Sequence, residues 1–83
     1  MPWHVYVLSC GDGTLYTGVT KDVARRLEEH QQGKGARYTR GRGPLTVLYT
    51  ETKRTRSAAL KREAAIKRMP TSAKRAMCGH DPA

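Results

Sequence analysis

Residues 3–19 read Trp3-His4-Val5-Tyr6-Val7-Leu8-Ser9, Cys10-Gly11-Asp12-Gly13, then Thr14-Leu15-Tyr16-Thr17-Gly18-Val19. The first seven are rich in strand formers and hold no Gly or Pro. Cys10 to Gly13 is a turn with two residues free to take positive φ. Thr14 to Val19 is the returning strand, so the stretch predicts a β-hairpin. Side chains alternate faces along a strand. Tyr6 and Tyr16 therefore share a face only if an odd number of residues joins the strands. A three-residue loop at 11–13 with a left-handed Gly does this, whereas a two-residue loop puts the tyrosines on opposite faces. Gly18 lies inside the second strand, where glycine marks a bulge, a crossing helix, or close approach of a backbone or ligand.

Working outward, Thr20 or Asp22 can cap a helix from Val23 to Gln32, and Gly33 can stop it. At ~100° per residue, Val23, Arg26, Leu27 and His30 fall in one stripe, with Arg25 opposite. A helix made only to bury surface would be apolar there. Arg26 alone can be a border residue with a packed stem, and His30 alone a border histidine.

Between this helix and Pro44, Gly33, Gly35, Gly41 and Gly43 alternate with Lys34, Arg37, Arg40 and Arg42. This is a basic loop whose amides and cations suit phosphate, and it lacks the nucleotide-loop signature. Tyr38 can stack on a base or simply be an exposed loop tyrosine. Pro44 opens a third strand, Leu45 to Glu51, whose two partly apolar faces predict cover on both sides.

A second helix spans 57–69, capped by Ser57 or Thr55. Ala59, Leu60, Glu63, Ile66 and Lys67 share its stripe. Glu63 is the only acid between Thr52 and His80. A carboxylate in an apolar stripe needs a partner, either a cation such as Arg26 or a neighbouring Lys, or a metal. Pro70 ends this helix. Thr71 or Ser72 can cap a short third helix reaching Cys78, and 80–83 form a loose tail.

The 83 residues make one domain, 1–79, which buries only ~60% of its unfolded surface. A substrate is therefore met on an open face. Sixteen Lys and Arg against seven acids give a net charge of +9. That field favours polyanions, nucleic acid first. No stretch has the apolar face of a membrane-surface helix or the length of a spanning one, so no membrane partner is expected. Cys10 and Cys78 have no metal spacing, and no secretory signal opens the chain, so free thiols in a cytoplasmic protein are expected. A metal site from Cys78 and His80 with His4 or Cys10 is disfavoured.

The ordered set His4-Val5-Tyr6, Tyr16-Thr17-Gly18, Thr20-Lys21-Asp22, Arg25-Arg26-Leu27, His30, Gly33-Lys34-Gly35, Tyr38-Thr39, Leu48-Tyr49 and Ala59 through Glu63 to Lys67 resembles the GIY-YIG endonuclease superfamily, and its small single-domain bacterial members. It covers Trp3 to about Arg75. The resemblance implies an α/β (α+β) fold, a three-stranded antiparallel sheet flanked by helices in the order β-β-α-β-α-α. It implies hydrolysis of DNA phosphodiesters with one Mg²⁺ or Mn²⁺. Position by position, Tyr6 and Tyr16 match the motif tyrosines, Arg26 the arginine, His30 the histidine one turn on, and Glu63 the metal-binding glutamate. The first motif departs from the pattern, with His4 and Val5 in place of Gly and Ile.

In such chemistry Arg26 can fork onto phosphate oxygens, and Glu63 can hold the ion. A tyrosine is a poor base at its usual pKa of ~10, which Arg26, the metal or a hydrogen bond from His30 can lower. Either tyrosine can take the water's proton; the reading leans to Tyr6, with Tyr16 orienting water or phosphate and His30 donating or relaying. Lys34, Arg37, Arg40, Arg42 and Lys67 are the candidate DNA contacts, RNA being the other possible polyanion, and no obligate protein partner is evident. The alternative is a non-catalytic nucleic-acid-binding module on the same fold. The absence of a base-reading helix points to recognition of backbone or shape.

Overall fold

The computed structural model describes residues 2–79; the expected tail at 80–83, and His80 with it, lies outside the described residues. Within them the order is β1 (Trp3–Ser9), β2 (Leu15–Thr20), α1 (Val23–Gln31), a 3₁₀ turn (Arg37–Thr39), β3 (Thr46–Lys53), α2 (Arg56–Lys67) and α3 (Thr71–Met77). The three strands form one antiparallel sheet in the order β2-β1-β3. Among the described residues no helix is long and apolar enough to cross a membrane.

The hairpin closes as its sequence requires. Cys10 N–H donates to Thr14 O at 2.8 Å, Gly13 N–H donates to Cys10 O at 3.0 Å, and Gly13 takes φ +84°. The connection is thus the three residues 11–13. The register pairs Leu8 with Tyr16 and Tyr6 with Gly18, so both tyrosines lie on one face.

β1 is the central strand, and Val5, Tyr6, Val7 and Leu8 are all buried. The strand covered on both sides is therefore β1, not β3. β3 is an edge strand, begins at Thr46, and has no fully buried residue. Alternation splits the β1 run. Val5 and Val7 pack with Ala59 and Ile66 of α2, joined by Leu15, Val19, Tyr49, Met69 and Met77. Each fully buried aliphatic side chain there contributes about 1.5–3 kcal/mol. The even-numbered face, with Tyr6 and Leu8, carries α1 through His30.

The Asp22 carboxylate caps α1 by accepting from Arg25 N–H at 3.1 Å. Gly33, at φ +77°, ends α1 with its N–H donating to His30 O and that of Lys34 donating to Glu29 O, which satisfies the last carbonyls. Thr55 caps α2 through Ala58 N–H at 3.1 Å. The N-cap of α3 is Pro70, with no side-chain cap bond, so neither Thr71 nor Ser72 has that role. α1 and α2 also end slightly earlier than their periodicity suggests, at Gln31 and Lys67. The Gly33–Pro44 stretch is no free linker. Its 3₁₀ turn buries Thr39, and it is pinned to the hairpin by Gly11 N–H donating to Arg42 O. Cys10 and Cys78 are free thiols.

Candidate active site

Gly18 explains the position of Tyr6. The Tyr6 ring crosses β2 at this residue. A Cβ on Gly18 would stand 2.5 Å from Tyr6 Oη and 2.7 Å from Cζ. The close approach allowed by this glycine is thus that of Tyr6 itself. The hydroxyl is carried over the edge strand, where Oη and His30 Nε2 are hydrogen-bonded at 2.9 Å. The Arg26 guanidinium is near enough to act on the same hydroxyl and reaches Glu29 Oε1 at 3.4 Å. The predicted stripe of α1 thereby turns both Arg26 and His30 toward Tyr6.

Tyr16 completes an aromatic cluster. Its ring centroid is 6.3 Å from that of Tyr6 and 5.2 Å from that of His30, edge-on to the imidazole. Tyr38 stacks on Tyr16 at 5.8 Å, and the Arg42 guanidinium lies over the Tyr38 ring, 4.4 Å from its centroid.

His30 is fully buried, and its second nitrogen is also engaged. Ala36 N–H donates to Nδ1 at 3.2 Å, and Thr39 Oγ1 lies 2.8 Å from Nδ1. Gly35 backs the ring so closely that a Cβ there would stand 2.1 Å from Nδ1. From the sequence, Gly35 is expected to offer its amide to phosphate as one of the loop glycines, and Ala36 and Thr39 have no role; none of the three is expected at His30. Gly35 and Thr39 stood inside the family-like Gly33-Lys34-Gly35 and Tyr38-Thr39 segments, which is the one signal they carried.

The electrostatics correct one expectation. Burial pushes the Tyr6 hydroxyl up to about 12; the Arg26 guanidinium opposes this, and the nearby Tyr16 and Glu63 add to it. Proximity to Arg26 does not lower Tyr6 below its ordinary value, because loss of water around the phenolate outweighs it. Burial, then the Arg26 charge, pushes the His30 imidazole below its usual value, with Glu29 opposing, so it is neutral at pH 7.

Glu63 sits on the inward side of α2, near enough to act on Tyr6. Its partner is Lys67, whose Nζ is 3.5 Å from Oε2. Among the described residues, no three His, Cys, Asp or Glu side chains come together as a metal cage. A single hard carboxylate near Tyr6 still fits Mg²⁺ or Mn²⁺, since Mg²⁺ keeps most of its waters and takes one or two carboxylates.

Of the candidate polyanion contacts, Lys34, Arg37 and Arg40 are exposed. Arg42 is paired with Asp12 besides covering Tyr38. Lys67 is exposed rather than on the buried stripe, and holds Glu63. His4 turns toward β3, with Nδ1 3.2 Å from Thr52 Oγ1, whereas Tyr6 turns toward β2. The altered first motif therefore leaves the Tyr6 hydroxyl to His30 and Arg26.

Known proteins share this sequence and fold. The GIY-YIG catalytic domain family matches residues 2–75. A UPF0213 protein of Cupriavidus necator is 51% identical over 81 residues, covering 98% of this chain and 88% of its own. A UPF0213 protein of Halobacterium salinarum is 51% identical over 74 residues, covering 89% and 96%. Among solved structures, the solution structure of the UPF0213 protein BH0048 from Bacillus halodurans superposes with TM-score 0.61 at 40% identity, over 95% of this chain and 84% of that one. That of EF2693 from E. faecalis gives TM-score 0.62 at 40% identity, over 93% and 83%. Sequence order, sheet topology and the convergence of Tyr6, Tyr16, Arg26 and His30 lead to one conclusion: the chain belongs to the GIY-YIG family, alongside the small UPF0213 proteins.

Proposed function

We propose that this protein is a cytoplasmic, metal-dependent endonuclease that hydrolyses DNA phosphodiesters by backbone or shape recognition, RNA being the other polyanion to test. The observation that carries the reading is the hydrogen bond between Tyr6 Oη and the buried His30 Nε2, at 2.9 Å, with Arg26, Tyr16 and Glu63 close by. A tyrosine needed only for packing would not be given a buried imidazole on its oxygen.

Hydrolysis joins a water oxygen to phosphorus and breaks the bond to the leaving nucleoside oxygen. Tyr6 Oη takes the proton that the water loses, provided it has first released its own proton to solvent. With the hydroxyl at about 12, only ~10⁻⁵ of free molecules carry the phenolate at pH 7. Donors from Arg26 and His30 stabilise that minority form. Arg26 also presents its fork to the phosphoryl oxygens, where it strengthens as charge develops. Tyr16 orients the water or a phosphate oxygen from the same face. Glu63 would hold one Mg²⁺ or Mn²⁺, which when bound supplies charge to the phosphate and the leaving oxygen and favours the Tyr6 phenolate. Lys67, no longer paired to Glu63, is then free to meet a phosphate. Lys34, Arg37 and Arg40 hold the flanking strand by charge.

The test is cleavage at low salt of duplex, branched, flapped and single-stranded DNA and of RNA, in Mg²⁺, Mn²⁺ or EDTA, beside Glu63→Gln and Arg26→Ala. Metal-dependent cleavage lost in both folded variants supports the reading. Binding without cleavage in every condition overturns it in favour of a non-catalytic binding module.

A further inference from the structure

We propose that the segment Gly35–Thr39 fixes the single proton of neutral His30 on Nε2, aimed at Tyr6 Oη, and that Thr39 is a positioning residue for this pair. The link to catalysis rests on the function proposed above, but the assignment of the proton does not.

One group near the imidazole has a role that cannot change. Ala36 N–H, 3.2 Å from Nδ1, can only donate. Nδ1 must therefore offer its lone pair, which leaves the proton on Nε2, 2.9 Å from Tyr6 Oη. Thr39 has one hydroxyl proton and two acceptors in reach, Nδ1 at 2.8 Å and Ala36 O at 2.9 Å. Ala36 O already accepts from Thr39 N–H at 3.1 Å. Ala36 O keeps a second lone pair within reach of the hydroxyl, but an oxygen 2.8 Å from the Nδ1 lone pair must place its proton between the two atoms, so the hydroxyl is turned to Nδ1, which shares its lone pair between two donors. The opposite tautomer would set an imidazole N–H against the Ala36 N–H in a buried space and leave the amide without an acceptor.

Rotation of the ring offers no escape. Gly35 lies against it, with the space for a Cβ reaching within 2.7 Å of Cε1 as well as 2.1 Å of Nδ1. Tyr16 meets its edge. The charged and titratable groups facing His30 are Tyr6, Tyr16, Arg26 and Glu29. None of them reverses the donor pattern at Nδ1.

The consequence is specific. His30 is a fixed donor to Tyr6 rather than a base that removes its proton. Tyr6 Oη accepts from His30 Nε2. Of the roles open from sequence, donation is kept for His30 and a relay that accepts from Tyr6 is excluded.

The experiment is side-chain ¹⁵N NMR of His30 in the full chain, through long-range couplings from the ring protons, at pH 7.5. A lone-pair shift at Nδ1 with a protonated shift at Nε2 is expected. Protonation at Nδ1 overturns the proposal, and this arm needs no variant. Thr39→Val removes one donor that opposes protonation of Nδ1, so the His30 titration midpoint should rise by ~0.5–1 pH unit. The cleavage kcat should fall about fivefold to tenfold with KM unchanged. Thr39→Ser should restore both. An unchanged midpoint in a folded Thr39→Val protein overturns the role of Thr39. If wild type cleaves nothing while the NMR shows the Nε2–H form, the function reading fails and the proton assignment stands.

Discussion

Gly18→Ala isolates the geometric premise of the site with one methyl group. The new Cβ would meet Tyr6 Oη at 2.5 Å and Cζ at 2.7 Å. Ordinary contact begins near 3.4 Å, so the phenol must retreat by about 0.9 Å or β2 must bend. Tyr6 has little room, being 1% exposed, and its hydrogen bond to His30 is 2.9 Å long. A retreat of that size breaks the bond. Overpacking costs about 1–3 kcal/mol and the lost hydrogen bond about 1 kcal/mol more. Alanine in a strand recovers about 0.5–1 kcal/mol relative to glycine. The net loss is about 1–3 kcal/mol, a fall in Tm of about 5–20 °C for a domain of this size. Any cleavage should drop ~10²-fold, as for a catalytic group displaced by an ångström. The assays are urea denaturation and the cleavage panel. Wild-type stability together with wild-type turnover in Gly18→Ala would refute the placement of Tyr6 across β2.

Three further outcomes follow from the same contacts. Gly35→Ala should destabilise by about 2–4 kcal/mol in urea titrations, because its Cβ would stand 2.1 Å from Nδ1 of the buried His30 and force the ring off Tyr6. Stability should decline at both ends of the pH range. Tyr6 is raised to about 12 from an unfolded value near 10, so its contribution is complete below pH 10 and is lost as pH climbs to 12, about 2–3 kcal/mol in all. His30 is lowered, so its contribution is present above pH ~6.5 and is lost as pH falls through the depressed native value; Tyr6→Phe should flatten the alkaline limb alone in urea midpoints measured against pH. If Tyr6 is the base, log kcat in Mg²⁺ should rise with a slope near one between pH 7 and 9, whereas a flat profile in single-turnover cleavage would remove it from that role.

What could be read from sequence was local. The sequence tied a shared face for Tyr6 and Tyr16 to an odd loop with a left-handed glycine, and the 11–13 loop with Gly13 at φ +84° meets that condition. Asp22, Gly33 and Thr55 marked helix ends because caps act within one turn. The stripe of α1 gave Arg26 and His30 together because 3.6-residue periodicity is a property of the helix itself. What escaped was tertiary. Thr39 meets His30 only after the chain has folded back through a turn with no periodic signal, and Arg42 is joined to Asp12 thirty residues away. The direction of the Tyr6 shift depends on how much water the fold removes, which residue spacing does not encode. The ends of a basic loop are visible in sequence; which of its cations are already committed is not.

The central position of β1 bears on how the chain is made. Translation delivers the middle of the sheet first and its outer strand, β3, last. At about 5–20 residues per second, the 44 residues from Ser9 to Lys53 take about 2–9 s to emerge. During that interval β1 can pair with β2, but its other edge, through the apolar run Val5-Tyr6-Val7-Leu8, has no neighbour. An open edge of this kind invites pairing with any passing strand. The nascent hairpin is therefore the aggregation-sensitive species of this protein, and a pause in synthesis before β3 has left the ribosome would prolong its exposure.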